Sequence, residues 1–130
     1  MLALTLSGLA RYHRVTKDPD VLEALSVGLD QLIRDCWSEE HQSFYLGSCI
    51  HNRHNPPPAL ASPTFLSAEA FGQEYALTGN KEHLRIFRAA FRTAVSAGFR
   101  DLSDRKQQGQ TGYSSMMFLF TPFGLRAIED

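Results

Sequence analysis

The feature that constrains the fold most is an internal repeat, in which the segment around Thr16 corresponds to the segment around Thr78. Two short turns carry it, one at Thr16-Lys17-Asp18 and one at Thr78-Gly79-Asn80. On either side of each turn the apolar residues recur at helical spacing, which predicts a pair of amphipathic helices. Repeated helical hairpins are typical of stacked or toroidal all-α arrays. The matching apolar pairs are Leu9 and Phe71, Leu22 and Leu84, Leu29 and Phe91, Ile33 and Val95, and Trp37 and Phe99.

The first hairpin is predicted to open as a helix that runs to about Thr16. Asp18 is a good N-cap for a second helix, and Pro19 suits its first position, where a backbone N–H is not needed. The second helix should end near Trp37. Cys36 falls on its apolar stripe, so we expect a buried and inert thiol.

The second hairpin follows the same plan. Ser62 is the expected cap of a third helix, Pro63 lies in its first turn, and the helix should continue to Leu77. Gly79 is the expected helix stop, and Asn80 caps a fourth helix. The third helix is apolar nearly all round, which indicates an inner, buried position.

We therefore expect one all-α domain of antiparallel helical hairpins, arranged as an incomplete toroid-like array. An apolar run in the last segment is also compatible with a strand, but we favour a helix broken near Pro122. The predicted parts are hairpin 1 over about 1–37, a long loop over 38–61, hairpin 2 over about 62–99, a loop over 100–113 and a terminal helix over 114–130.

Composition excludes several classes of protein. The 130 residues are 43% apolar and 21% charged, which is ordinary for a globular domain. Thirteen Lys and Arg against 14 Asp and Glu give a net charge of -1, so neither nucleic acid nor an anionic membrane is an expected partner. The apolar opening over 1–10 is too short to span a bilayer and resembles no export signal, and two cysteines do not make a disulfide scaffold. A cytoplasmic protein is the expectation.

Three segments resemble the hairpin unit of the six-hairpin (α/α) toroid enzymes: Tyr12–Val21, Trp37–Leu46 with its Phe44-Tyr45, and Tyr75–Leu84. That superfamily contains glycoside hydrolases, polysaccharide lyases and sugar epimerases. The resemblance covers most of residues 1–99, and its motifs are turns and core positions rather than catalytic residues. A complete toroid of such units needs a chain roughly three times longer. The resemblance therefore implies the C-terminal hairpins of a larger array whose N-terminal hairpins are missing, or a small relative, and a saccharide ligand.

The two long loops should lie together at the end of the array opposite the short turns, and long loops are often functional. In the toroid enzymes this end is the sugar-binding face. Sugars are held by aromatic stacking and by charged hydrogen-bonding groups. The candidate sugar-binding residues are therefore Tyr45, His51, Arg53 and His54 from the first loop and Tyr113 from the second.

The first loop also allows a metal site, since Cys49, His51 and His54 are types of residue that bind zinc. No second ligand pair lies at a standard spacing. We therefore expect no metal and no cofactor, and prefer the sugar-binding interpretation.

Two aspartates of the second loop, Asp101 and Asp104, are candidates for the general acid and base of glycoside chemistry. The alternative is that they cap helices in a solvated loop. His13 and His83 lie near helix ends, where we expect them at the surface or at the edge of the core.

Glu69 is the third candidate catalytic residue, because it interrupts the apolar inner helix near the end where the long loops meet. A buried carboxylate either forms an ion pair or has its pKa raised, and a carboxyl group with a raised pKa can act as a general acid. The alternative is an ion pair with Arg85, Arg88 or Arg92 of the next helix.

These features support two functional hypotheses. The first is a carbohydrate-binding or carbohydrate-processing domain, part of a larger toroid and not self-sufficient as an enzyme; any activity would resemble a glycoside hydrolase or a polysaccharide lyase. The second is a non-catalytic helical interaction module that self-associates. Two and a half hairpins leave apolar repeat ends uncovered, and such ends favour an oligomer or a partner.

Overall fold

A computed structural model describes residues 2–45 and 61–98 of the chain. Four helices dominate these residues, so the all-α class is confirmed for this part. The elements are α1 (Leu2–Thr16), α2 (Pro19–Cys36), β1 (Trp37–Ser38), β2 (Ser43–Phe44), α3 (Ala61–Thr78) and α4 (Lys81–Gly98).

The two short turns have the same geometry. Lys17 and Gly79 both adopt left-handed backbone angles, with φ of 57° and 69°. The N–H of each donates to the carbonyl four residues earlier, at 2.8 Å in both turns. The side chains of Asp18 and Asn80 then accept hydrogen bonds from the backbone two residues later, at 3.0 and 3.2 Å. The predicted caps are therefore confirmed, and the repeat holds at both turns.

Helix α3 is the central element, packed against α1 on one side and against α4 on the other. The Ser7 hydroxyl of α1 donates to the carbonyl of Leu66, and Arg11, one turn later, contacts Glu69. These contacts advance along both helices together, so α1 and α3 run parallel. The prediction that α3 is an inner helix is confirmed, since most of its described side chains are buried.

The core forms where the two hairpins meet. Phe71 of α3 stacks on Phe87 of α4, with ring centroids 5.4 Å apart, and its ring lies 6.1 Å from that of Phe44. Gly28 of α2 lets α1 approach closely, because a Cβ at this position would collide with the Leu6 side chain. Cys36 is buried at the edge of this core, as the apolar stripe predicts.

The segment after α2 differs from the expected loop. Strands β1 and β2 pair antiparallel, with Trp37 opposite Phe44 and Ser38 opposite Ser43. The Trp37 and Phe44 rings lie 5.2 Å apart, a cross-strand aromatic contact that stabilises such pairing. Gln42 takes a positive φ of 48° at the reversal. The chain thus leaves α2 as a short β-ribbon (residues 37–44).

One predicted helix boundary, the start of α3, is wrong. Helix α3 begins at Ala61, so Ser62 and Pro63 lie within its first turn and Ser62 is not a residue preceding the helix. The rest of the predicted long loop, the loop over 100–113 and the terminal helix over 114–130 lie outside the described residues. None of the described helices is long and apolar enough to cross a membrane.

Candidate functional site

Two of the residues predicted to form the site lie in the described part of the chain. Tyr45 directly follows β2; its side chain is half-buried, and its backbone N–H donates to the Cys36 carbonyl at 2.7 Å. Glu69 lies on α3, and no hydrogen bond joins the two. The remaining candidates lie outside the described residues and stay predictions: Cys49, His51, Arg53, His54, Asp101, Asp104 and Tyr113.

Glu69 is buried, with only 2% of its surface exposed, and it is paired with α1. Arg11 Nε donates to one carboxylate oxygen at 2.7 Å, and Arg14 contacts the other. The expected alternative, pairing with an arginine of α4, is wrong because the face of α3 that carries Glu69 packs on α1. Burial and the charge of Arg11 lower the pKa of Arg14. Glu69 therefore joins α1 and α3, and its catalytic role remains a prediction.

A second buried carboxylate, Glu74, lies one turn from the end of α3 and is 1% exposed. Its Oε2 lies 3.3 Å from Nδ1 of His83, in the first turn of α4. The other imidazole nitrogen, Nε2, lies 3.0 Å from Oδ1 of Asp30 on α2. Ser26 and Asn80 donate longer hydrogen bonds to Glu74 Oε1, at 3.4 and 3.5 Å. This polar cluster ties three helices together near the short turns.

The two carboxylates control the protonation of His83. Burial alone would lower the pKa of the imidazole, but hydrogen bonds and negative charge from Glu74 and Asp30 outweigh it and raise the pKa above its usual value. His83 is only 3% exposed, and His13 only 5%. The expectation of surface or core-edge histidines is therefore wrong. His83 lies four residues before Phe87, on the buried stripe of α4. That helical spacing in the sequence could have indicated that His83 is buried.

This polar cluster does not form a nucleophilic triad. In a triad, an imidazole accepts the proton of a nearby hydroxyl group. Here the Ser26 hydroxyl contacts the Glu74 carboxylate rather than the His83 ring. Within residues 2–45 and 61–98, no three His, Cys, Asp or Glu side chains are grouped to hold a metal ion. The geometry of the cluster favours a structural role.

Arg85 joins the β-ribbon to α4. Its guanidinium donates to Glu39 at 3.0 Å and to Glu82 at 2.8 Å. Hydrogen bonds from Arg85 and from the Trp37 indole lower the pKa of Glu39 to about 2. The network is exposed, so salt screens it and its net contribution to stability is small.

Beside this network runs an open groove of about 490 Å³. Four cationic side chains lie along it at helical spacing on one exposed face of α4. The sequence pattern suggested these arginines only as partners for Glu69, and so it did not reveal the groove. The residues that line it are Gln42, Tyr75, Lys81, Leu84, Arg85, Arg88, Ala89 and Arg92.

The chain matches no family model, no curated protein and no solved structure. Its function must therefore be inferred from the residues themselves.

Proposed function

We propose that the two hairpins are consecutive units of an (α/α) toroid-like array in a carbohydrate-binding or carbohydrate-processing protein. The observation that carries this proposal is the repeated turn: both turns have the same left-handed residue position, the same backbone bond and the same kind of cap. The parallel inner helices α1 and α3, each followed by an outer helix, have the order of connections that such an array needs to continue.

The proposed saccharide site lies at the end of the array where α2 ends and the ribbon begins. Tyr45 is its described member, next to the predicted binding residues His51, Arg53 and His54 in the sequence. The described residues offer no pair of free carboxylates in the core, because Glu69 and Glu74 are both held in buried contacts. This supports binding, rather than independent catalysis, as the role of the described hairpins.

Replacing Tyr45 by alanine should weaken saccharide binding about five- to tenfold, since an aromatic contact contributes about 1–1.5 kcal/mol. Binding of a panel of neutral oligosaccharides to the full chain would be measured by calorimetry. Tyr12→Ala is the matched control, because Tyr12 is exposed on α1, away from the ribbon. Equal losses in both variants, or no binding of any oligosaccharide by the unaltered chain, would contradict the proposal.

A second candidate function is self-association, and one observation favours it. Three apolar residues, Leu4, Tyr12 and Val15, lie exposed at helical spacing on α1. The backbone carbonyl of Leu66 on α3 accepts a hydrogen bond from Ser7 of α1. The equivalent of Leu66 in the first hairpin is Leu4, which is exposed.

If this face is an interface, Leu4→Ser combined with Val15→Ser should reduce the average mass in solution, because the variant removes apolar area from the contact. Light scattering over a concentration series measures that mass. Val27→Ser is the control, since Val27 is an exposed valine on α2. A monomer at all concentrations before any substitution would exclude this candidate.

A further inference from the structure

We propose that the groove along α4 binds a small ligand that carries an oxyanion, either a phosphate ester or a carboxylate. This site is separate from the saccharide site proposed above and does not depend on it. The groove volume of about 490 Å³ suits a small molecule, since ligand pockets are commonly about 300–1,000 Å³.

The first argument is the arrangement of positive charge. Lys81, Arg85, Arg88 and Arg92 follow one another at intervals of four, three and four residues, so they lie on one face of α4. At 1.5 Å per residue they extend over about 16 Å of the helix. Lys81 is also in the first turn, where the helix dipole favours an anion. Cationic side chains therefore line the groove along its length.

The second argument is that part of this charge is not used within the described structure. Arg85 is paired with Glu39 and Glu82. Among residues 2–45 and 61–98, by contrast, no acidic side chain pairs with Arg88 or Arg92. Neighbouring cations on one helix face repel each other and destabilise the helix. A bound oxyanion would remove this repulsion, and a guanidinium can bind one with two parallel hydrogen bonds.

The third argument is that the repeat does not require these cations. The equivalent positions of the first hairpin, on α2, hold Pro19, Glu23, Ser26 and Asp30, none of them positively charged. The helices of a hairpin therefore form without cationic residues at these four positions.

The groove is also lined by two residues from outside α4, which can contact the rest of a ligand. Tyr75 of α3 is half-buried there and presents an aromatic ring with a hydroxyl group. Gln42, at the reversal of the ribbon, adds an amide whose Nε2 donates to the Glu39 carbonyl at 2.6 Å and whose oxygen can accept a hydrogen bond. An oxyanion on Arg88 and Arg92, with a polar organic group on Tyr75 and Gln42, fits this distribution.

The competing occupant is a further helical hairpin with acidic residues. Ser26 and Asp30 correspond to Arg88 and Arg92 in the repeat, and they contact Glu74 and His83 of the following hairpin. The same face of α4 is thus where the next hairpin of an array, or a second copy of this chain, would pack. The groove volume and the aromatic side favour the small ligand.

The test is titration of the full chain with inorganic phosphate, a hexose phosphate and glucuronate, at low ionic strength, followed by NMR of the arginine side-chain N–H signals. Arg88→Gln and Arg92→Gln should each weaken binding about tenfold, as expected for loss of a charge-assisted contact. Arg34→Gln is the matched control, because Arg34 is an exposed arginine on α2. Tyr45→Ala should leave this binding unchanged, which separates the groove from the saccharide site.

Tighter binding of the hexose phosphate than of glucuronate would support a phosphate ester, and the reverse order would support a carboxylate ligand. The proposal is overturned if none of the three probes binds at about 10 mM, a concentration that detects even weak complexes. It is also overturned if Arg34→Gln weakens binding as much as Arg88→Gln. A third contrary result would be an oligomer that dissociates on Arg88→Gln substitution and binds no probe.

Discussion

Replacing His83 by leucine should lower the free energy of unfolding by about 3 kcal/mol, because the Glu74 carboxylate is then left buried without its cationic partner. Glu74 is almost wholly buried, and only the longer bonds from Ser26 and Asn80 would remain to it. The loss of the Asp30 contact should add little, since that carboxylate is exposed to water. Urea unfolding at pH 6 measures the difference.

The matched control is the double variant Glu74→Leu with His83→Leu. It removes both charged partners, so no uncompensated charge stays in the core and most of the lost stability should return. A double-mutant cycle gives the coupling between the two residues. If the two single losses simply add, Glu74 and His83 do not act as a unit and their contact does not hold the polar cluster together.

The same pair predicts how stability depends on pH. The pKa of His83 is raised in the folded chain, so the folded state holds this proton more tightly than the unfolded state does. The stability that the tighter binding of this proton gives to the folded chain is complete below the unfolded pKa of about 6.5. It is lost as the pH rises through the higher pKa of the folded chain. His83→Leu should abolish that decline. If the stability of the variant falls by the same amount as the pH rises, groups other than His83 cause the pH dependence.

Replacing Phe71 by alanine should cost about 3–5 kcal/mol, which is typical of a fully buried phenylalanine. The ring stacks on Phe87, lies beside Phe44, and meets the His83 imidazole edge to face at 6.1 Å. Its removal therefore leaves a cavity where α3, α4 and the ribbon meet. Leu77→Ala, at an exposed position of α3, should change stability by less than about 0.5 kcal/mol. Similar losses in both variants would contradict the central placement of α3.

The helices and turns could be predicted from the sequence because short-range chemistry determines them. Asp18 before Pro19, and Gly79 before Asn80, place a stop and a cap within two or three residues. The β-ribbon could not be predicted in this way. Each of its strands has two residues, too few to show an alternating pattern, and its pairing depends on the contact between Trp37 and Phe44.

The partners of the buried charges were also beyond sequence reasoning. The sequence shows that Glu69 lies on an inner helix, but not which neighbouring helix its face meets; the structure places Arg11 and Arg14 there. The basic groove was hidden for another reason. A net charge of -1 averages over the whole chain, whereas Arg88 and Arg92 concentrate positive charge on one helix face.

Arg85 is shared between two parts of the molecule, since it pairs with Glu39 of the ribbon and lines the groove of α4. A ligand that draws this guanidinium into the groove must weaken its bond to the ribbon, which leads directly to Tyr45. Linkage is reciprocal for this one contact: a groove ligand that weakens the Arg85–Glu39 pair is itself weakened to the same degree by that pair. The Arg85–Glu39 pair, which joins the ribbon to α4, would therefore compete with a groove ligand for the same guanidinium.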